Sequence, residues 1–155
     1  MKVLGTVFHA IVVLAGSTLL AGCSGARPAA LGSTQGRLAP CPSSPNCVSS
    51  LADDDRHRIA PLPFSGAAAA AIGRIEAIVR SLPRAAVVTA TETYLYAEFR
   101  SAVFRFVDDV EFLADESAGV IQVRSAARVG SSDLGVNRKR VEAIRALWSE
   151  LPPRL

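Results

Sequence analysis

The sequence predicts an α+β domain: an antiparallel sheet of four to five strands with two helices packed on one face. Two observations carry this. Residues 86–125 hold a run of consecutive segments that alternate or are β-branched, and helical apolar spacing lies on either side of that run. A third observation fixes the scale. The chain has 155 residues, enough for one domain with appendages.

The elements follow in order. Arg56 to Leu62 reads as a short strand, closed by Pro61 and Pro63. Gly66 to Leu82 reads as a helix, because Ala71, Ile72, Ile75, Ile78, Val79 and Leu82 recur at helical spacing opposite Arg74, Glu76 and Arg80. Pro83 stops it. Ala86 to Glu92 is β-branched and alternating. Tyr94, Tyr96 and Glu98 then alternate with Leu95, Ala97 and Phe99, predicting a strand to Arg100. Val103 to Leu113 reads as the next strand, with Phe104 and Phe106 on one side. A turn at Asp115 to Gly119 leads to a strand at Val120 to Ser125. Arg128 to Gly135 is a loop with two glycines. A last helix runs from Val136 to Leu151, with Val141, Ile144, Leu147, Trp148 and Leu151 on one face and Pro152 behind it.

Mean hydropathy is +0.29 and half the residues are hydrophobic, which is high for a soluble chain. The excess sits at the front. Residues 1–22 carry 14 apolar residues and one charge, Lys2, while the remaining 133 residues hold 16 Lys and Arg against 14 Asp and Glu. A charged tip, an apolar stretch and small residues before a cut site describe an export signal. Leu20-Ala21-Gly22-Cys23 resembles the bacterial lipobox, whose cysteine thiol receives a diacylglycerol. The expected organisation is therefore a signal peptide at 1–22, a flexible tether at 23–39 and one α+β domain at 40–155. An uncleaved membrane helix is the alternative for the front segment, and His9 and the Gly16-Ser17-Thr18 break argue against it. Either way the domain is expected outside the cytoplasm. Ser24 resembles an outer-membrane sorting signal, so the expected address is the cell envelope, facing the periplasm, with the membrane as partner through Cys23.

With Cys23 lipidated, Cys41 and Cys47 remain, in a short loop stiffened by Pro42 and Pro45. An oxidising compartment makes a disulfide the expected state. No metal site or cofactor is expected, because the chain beyond the leader has a single histidine, His57, and no third free thiol. Nucleotide-binding glycine loops, zinc-protease and serine-hydrolase signatures are missing from the sequence. His57 lies between Arg56 and Arg58 beside Asp53-Asp54-Asp55, which reads as a solvated charged turn.

The charge pattern supplies the candidate site. From Glu92 to Glu116 seven acids meet two arginines, and from Arg124 to Arg145 six bases meet two acids. The candidate cluster for an anionic ligand is Arg124, Arg128, Ser132, Asn137, Arg138 and Arg140 with Asp108 and Asp109. Cations in a first helical turn oppose the helix dipole, so something negative should offset them. That charge is either internal, from Asp108, Asp109 and Glu111, or an external phosphate, carboxylate or lipid headgroup. Asp133 or Asn137 can equally be the N-cap of the last helix. Nucleic acid is not an expected partner, because acids match the basic cluster and aromatics are few.

Four blocks carry a family resemblance: Cys41-Pro42 with Pro45-Asn46-Cys47-Val48-Ser49-Ser50; Tyr94-Leu95 with Ala97-Glu98-Phe99-Arg100-Ser101; Phe104 through Phe112; and Val123-Arg124-Ser125-Ala126 with Arg128, Gly130, Ser132-Asp133-Leu134-Gly135, Asn137-Arg138 and Arg140-Val141-Glu142. Together they resemble the bacterial family called domain of unknown function 1499, from Pro40 to about Leu147. The resemblance brings no activity, substrate or catalytic residue. It implies that the Asp108-Asp109 and Arg124-to-Arg140 groups form one spatial cluster. The expected function is that of an exported, membrane-anchored lipoprotein that binds a partner or a small anionic ligand. The alternatives are an enzyme using Asp108 or Asp109 as acid and base with the arginines stabilising an anion, or a structural assembly factor.

Overall fold

The computed structural model describes residues 25–150. Within them the order is β1 (Cys47–Ser49), β2 (Leu62–Pro63), α1 (Ala68–Ser81), β3 (Ala85–Ala90), β4 (Tyr94–Arg100), β5 (Val107–Asp115), β6 (Val120–Ala127) and α2 (Val136–Glu150). The six strands form one antiparallel sheet in the order β1-β6-β5-β4-β3, and β2 shares the β6 edge with β1. The architecture is α+β as expected, with six strands instead of four or five. The additional pairing comes from β1, only three residues long, whose Cys47, Val48 and Ser49 face Ala126, Ser125 and Arg124. Three residues carry no readable alternation. Leu62 and Pro63 are the strand found where Arg56 to Leu62 was expected.

Alternation along β4, β5 and β6 divides the sheet. Leu95, Ala97, Phe99, Val110, Phe112, Ile121 and Val123 form one face, and they pack with Ile72, Ile75, Ile78 and Val79 of α1 and Val141, Ile144 and Trp148 of α2 in a single buried cluster. Trp148 closes the seam: its indole donates to the Pro63 carbonyl at 3.0 Å, and the Arg74 guanidinium lies 3.8 Å over its ring. Burial of these large side chains contributes about 1.5–3 kcal/mol each before entropy is counted. No helix among the described residues is long and apolar enough to cross a membrane.

Several boundaries differ from the sequence expectation: β3 ends at Ala90 instead of Glu92, β6 runs on to Ala127, and two further differences have a local cause. The strand expected from Val103 begins only at Val107, because Ser101 and Phe106 close a loop on themselves: the Ser101 amide donates to the Phe106 carbonyl at 2.9 Å and the Phe106 amide to Ser101 Oγ at 2.9 Å. Val103, Phe104 and Arg105 sit at its tip. Helix α1 starts at Ala68, without a side chain from its own N-cap residue Ala67. Glu116 supplies the missing acceptor from the β5–β6 turn, taking the Ala68 amide at 3.1 Å.

Cys23 and Leu151 lie outside the described residues, and so does the signal segment 1–22. The described part of the expected tether packs on the domain: Leu38 is buried, Arg27 reaches Glu98 at 2.6 Å, and the Gly32 amide donates to Glu111 at 2.8 Å.

Candidate functional site

Adjacent residues of a strand point to opposite faces, and this decides the fate of the expected charge cluster. Asp108 and Asp109 do not join one group. Asp109 faces away from the helices with Glu111, Tyr96 and Glu98, whereas Asp108 faces the helix side beside Phe99. The single cluster implied by the family resemblance is therefore two sites, separated by the sheet.

On the face away from the helices, β4 sets Tyr94, Tyr96 and Glu98 opposite Leu113, Glu111 and Asp109. Three carboxylates so close would repel one another without cations. Arg128, just beyond β6, is the bridge: it donates to Asp109 at 2.7 and 2.9 Å, to Glu98 at 2.6 Å and to the Tyr96 hydroxyl at 2.9 Å. Its guanidinium is buried and held even more firmly protonated than usual, chiefly by the Asp109 bond. Arg124 meets Glu111 at 3.2 Å. Burial raises the Glu98 carboxyl, but Arg27 and Arg128 outweigh it and hold that carboxyl down at about 2. Tyr96 donates to Asp109 at 2.6 Å, and burial with that bond moves its hydroxyl well above the ordinary phenol value. This network was legible only in part: the acids of β5 and the arginines stand out in the sequence, while Tyr96 and Glu98 show there only as an alternating pattern.

On the helix side, α2 begins over the end of the sheet. Asp133 caps it, accepting the Asn137 amide at 2.7 Å and the Gly135 amide at 3.0 Å. Asn137 is fully buried and not a ligand-facing amide: it accepts from Ser125 at 2.5 Å and from Arg140 at 2.7 Å, and donates to the Asn46 carbonyl at 3.2 Å. Asn46, from the segment joining the two cysteines, in turn donates to the Gly130 carbonyl at 2.6 Å, so the disulfide loop is pinned to the β6–α2 loop. Arg140 closes on Asp108 at 2.5 Å and lies 4.8 Å over the Phe99 ring. Burial raises the Asp108 carboxyl above its ordinary value despite that partner. Arg138 spends its guanidinium on the carbonyls of Arg58 and Arg56, both at 2.8 Å. Ser132 is exposed, its hydroxyl turned to the Leu134 amide. Internal acids and carbonyls thus engage Arg124, Arg128, Arg138 and Arg140, and the cations expected for an anionic ligand have protein partners.

Cys41 and Cys47 form a disulfide, with Cα atoms 5.7 Å apart. His57 is not the solvated residue expected. It is buried, with Nδ1 at 2.8 Å from Asp54 and Nε2 at 3.1 Å from the Ser44 carbonyl. Two acceptors ask both nitrogens to donate, so the Asp54 carboxylate and then the carbonyl raise its pKa. Among the described residues no group of three His, Cys, Asp or Glu side chains could hold a metal ion.

One cavity of about 450 Å³ opens beside Asp108, between the 101–106 loop and the β6–α2 loop. Phe106, Ala127, Val129 and Val136 supply apolar walls, and Ser101, Asp108, Ser132 and Asp133 supply polar groups, so Asp108 and Ser132 of the expected cluster meet here. Gly25 lines the same space. A Cβ on Gly25 would stand 2.9 Å from Val129 and 3.1 Å from the Arg128 side chain, and its φ is +66°, so glycine lets the incoming chain lie against this loop. The apolar walls went unrecognised in the sequence because Phe106 reads there as part of a strand and Val129 as loop filler.

The family model described as "Protein of unknown function (DUF1499)" matches residues 37–147. No curated protein matches the chain.

Proposed function

The chain belongs to the DUF1499 family, and from that premise we propose that it is an exported lipoprotein, acylated at Cys23, whose domain is a binding module and not an enzyme. The cavity beside Asp108 carries this reading. Its volume suits a small molecule or one arm of a larger one, its walls are apolar, and its charged groups are carboxylates. A ligand that fits is an apolar body bearing a hydrogen-bond donor or a cation for Asp108, rather than the anion that the arginine-rich sequence suggests. The lining groups that could act as nucleophile or base are Ser101, Ser132, Asp108 and Asp133, of which Asp108 is closed on Arg140 and Asp133 on amides at the start of α2. Asp109, the other candidate acid, is buried under Arg128 and Tyr96 and out of reach of a substrate.

The leader supports export, and Leu20-Ala21-Gly22-Cys23 supports acylation and the envelope address. Cys23→Ala is expected to release the domain from the membrane fraction; unchanged fractionation refutes the anchor. The released chain is expected to bind the neutral apolar probe N-phenyl-1-naphthylamine saturably. Val136→Trp, which fills the cavity from an exposed position at the start of α2, should weaken that binding at least about tenfold without lowering the melting temperature. Equal binding by the two chains refutes the cavity as the site.

A further inference from the structure

Exposed apolar side chains among the described residues gather beside the cavity: Phe106 and Val136 line it, and Val103, Phe104 and Leu134 stand within three residues of one or the other along the chain. Val103 is 79% exposed, Phe104 71% and Leu134 87%, with Phe106 and Val136 partly exposed beside them. Among the described residues, only Val88 of the exposed large apolar side chains lies elsewhere. The five residues come from the two segments that flank the cavity, the 101–106 loop and the stretch from Leu134 into the first residue of α2. The Phe104 and Phe106 rings stack at 5.5 Å, which gives the first loop a preformed aromatic tip. Leu134 is held at φ +54°, a left-handed conformation unfavourable for a bulky side chain, and inside the domain it gains no burial for that strain. An apolar group strained outward into water has its use elsewhere.

The position of Gly25 points to what covers it. Gly25 lines the cavity, packed against Val129, and Cys23 stands two residues before it. Two residues span at most about 7 Å, so chain length alone brings an acyl group on Cys23 within reach of this rim. Arg27, Gly32 and Leu38 fasten the following segment to the sheet and take up the slack that a free tether would have given. Arg105, exposed between the two phenylalanines, and Lys139, one turn into α2 from Val136, add positive charge suited to anionic headgroups.

We propose that the rim formed by Val103, Phe104, Phe106, Leu134 and Val136 is a bilayer-docking surface: the domain rests on the membrane with its cavity mouth facing the lipid. This rests on the acylation of Cys23 proposed above. A cavity so placed takes its ligand from the lipid phase, which deepens the apolar-ligand reading to an amphiphile whose polar group reaches Asp108.

The test uses the full processed chain reconstituted into vesicles of phosphatidylethanolamine and phosphatidylglycerol with brominated acyl chains, which quench tryptophan on contact. Phe104→Trp places a reporter on the rim. Ala118→Trp places one in the β5–β6 turn, at the other end of a nine-residue strand about 27 Å long. Wild type, with Trp148 alone, supplies the background. The expected result is that brominated lipid removes at least about half of the emission added by the rim reporter and leaves that of the turn reporter unchanged. If the rim reporter is quenched no more than the turn reporter in a chain that floats with the vesicles, the docking proposal is overturned. A rim reporter that is blue-shifted but unquenched overturns it in favour of a protein cover, a second copy included. Mass of the N-terminal peptide is read on the same sample: a peptide without diacylglycerol overturns the lipoprotein reading separately.

Discussion

Arg128→Met isolates the buried ion network, because methionine keeps much of the volume and removes every donor. In the intact domain Arg128 makes bonds of 2.6–3.1 Å to Asp109, Glu98 and the Tyr96 hydroxyl. Glu98 keeps Arg27 and Arg100 when Arg128 is gone, but Asp109, 1% exposed, keeps only Tyr96. Removing one partner of a buried pair and stranding a carboxylate costs about 3–5 kcal/mol. For a domain of this size each kcal/mol moves the melting temperature by about 3–5 °C, so a fall of about 10–20 °C is expected by thermal circular dichroism at pH 7. Two further readings sharpen it. Arg128→Met combined with Asp109→Leu should recover most of the loss, because the stranded charge leaves with its partner. Acid should also narrow the gap between Arg128→Met and wild type. In wild type Glu98 titrates at about 2 against an ordinary 4.5, so its stabilising effect is present above pH 4.5 and fades as pH falls toward 2. In the variant that contribution is already reduced, so acid removes less of it. A fall of under 4 °C, or a gap as wide at pH 3 as at pH 7, would refute the argument by showing that solvent replaces Arg128 in the network.

Three other outcomes follow from the same structure. Replacing Cys41 and Cys47 with serine opens a loop with a sequence separation of 6, and should cost about 2.4 kcal/mol, visible as a lower urea midpoint with little change in slope. His57 has a raised pKa, so its pairing with Asp54 contributes stability that is complete below pH 6.5 and lost as pH rises through the folded value; His57→Gln should flatten that decline in a pH series of melting temperatures. Asn137→Ala should destabilise by about 1–3 kcal/mol by removing the acceptor of the buried Ser125 hydroxyl and one partner each of Arg140 and the Asn46 carbonyl, whereas Ser132→Ala, at an exposed hydroxyl, should move the urea midpoint hardly at all.

The segments with strong local periodicity were legible at once. Tyr94 to Arg100 begins and ends where alternation places it, and α2 starts at Val136 as its apolar spacing and the Asp133 cap require. The four family blocks were legible too, within the span the family covers. Less was legible where pairing depends on a distant partner. Strand β1 exists because β6 offers an edge to Cys47, Val48 and Ser49, and the start of α1 depends on Glu116 from another turn. Phe104 and Phe106 alternate like strand residues, but the Ser101–Phe106 bonds fold them into a loop instead.

The candidate site divides the same way. Residue types and their clustering in sequence identified Asp108, Asp109, Arg124, Arg128 and Arg140 as groups that must find opposite charge, and the charge runs named the right segments. Which carboxylate meets which guanidinium was a tertiary matter. The pleat sends Asp108 to Arg140 and Asp109 to Arg128 on opposite faces, and burial makes both pairings obligatory. The sequence by itself determined an α+β chain, a disulfide loop and balanced internal charge. Only the folded chain decided that the arginines are engaged and that an apolar-rimmed cavity stands open at Gly25. Periodicity and charge are local properties of a chain, whereas a cavity is the space left between residues such as Gly25, Phe106 and Val136, which only folding brings together.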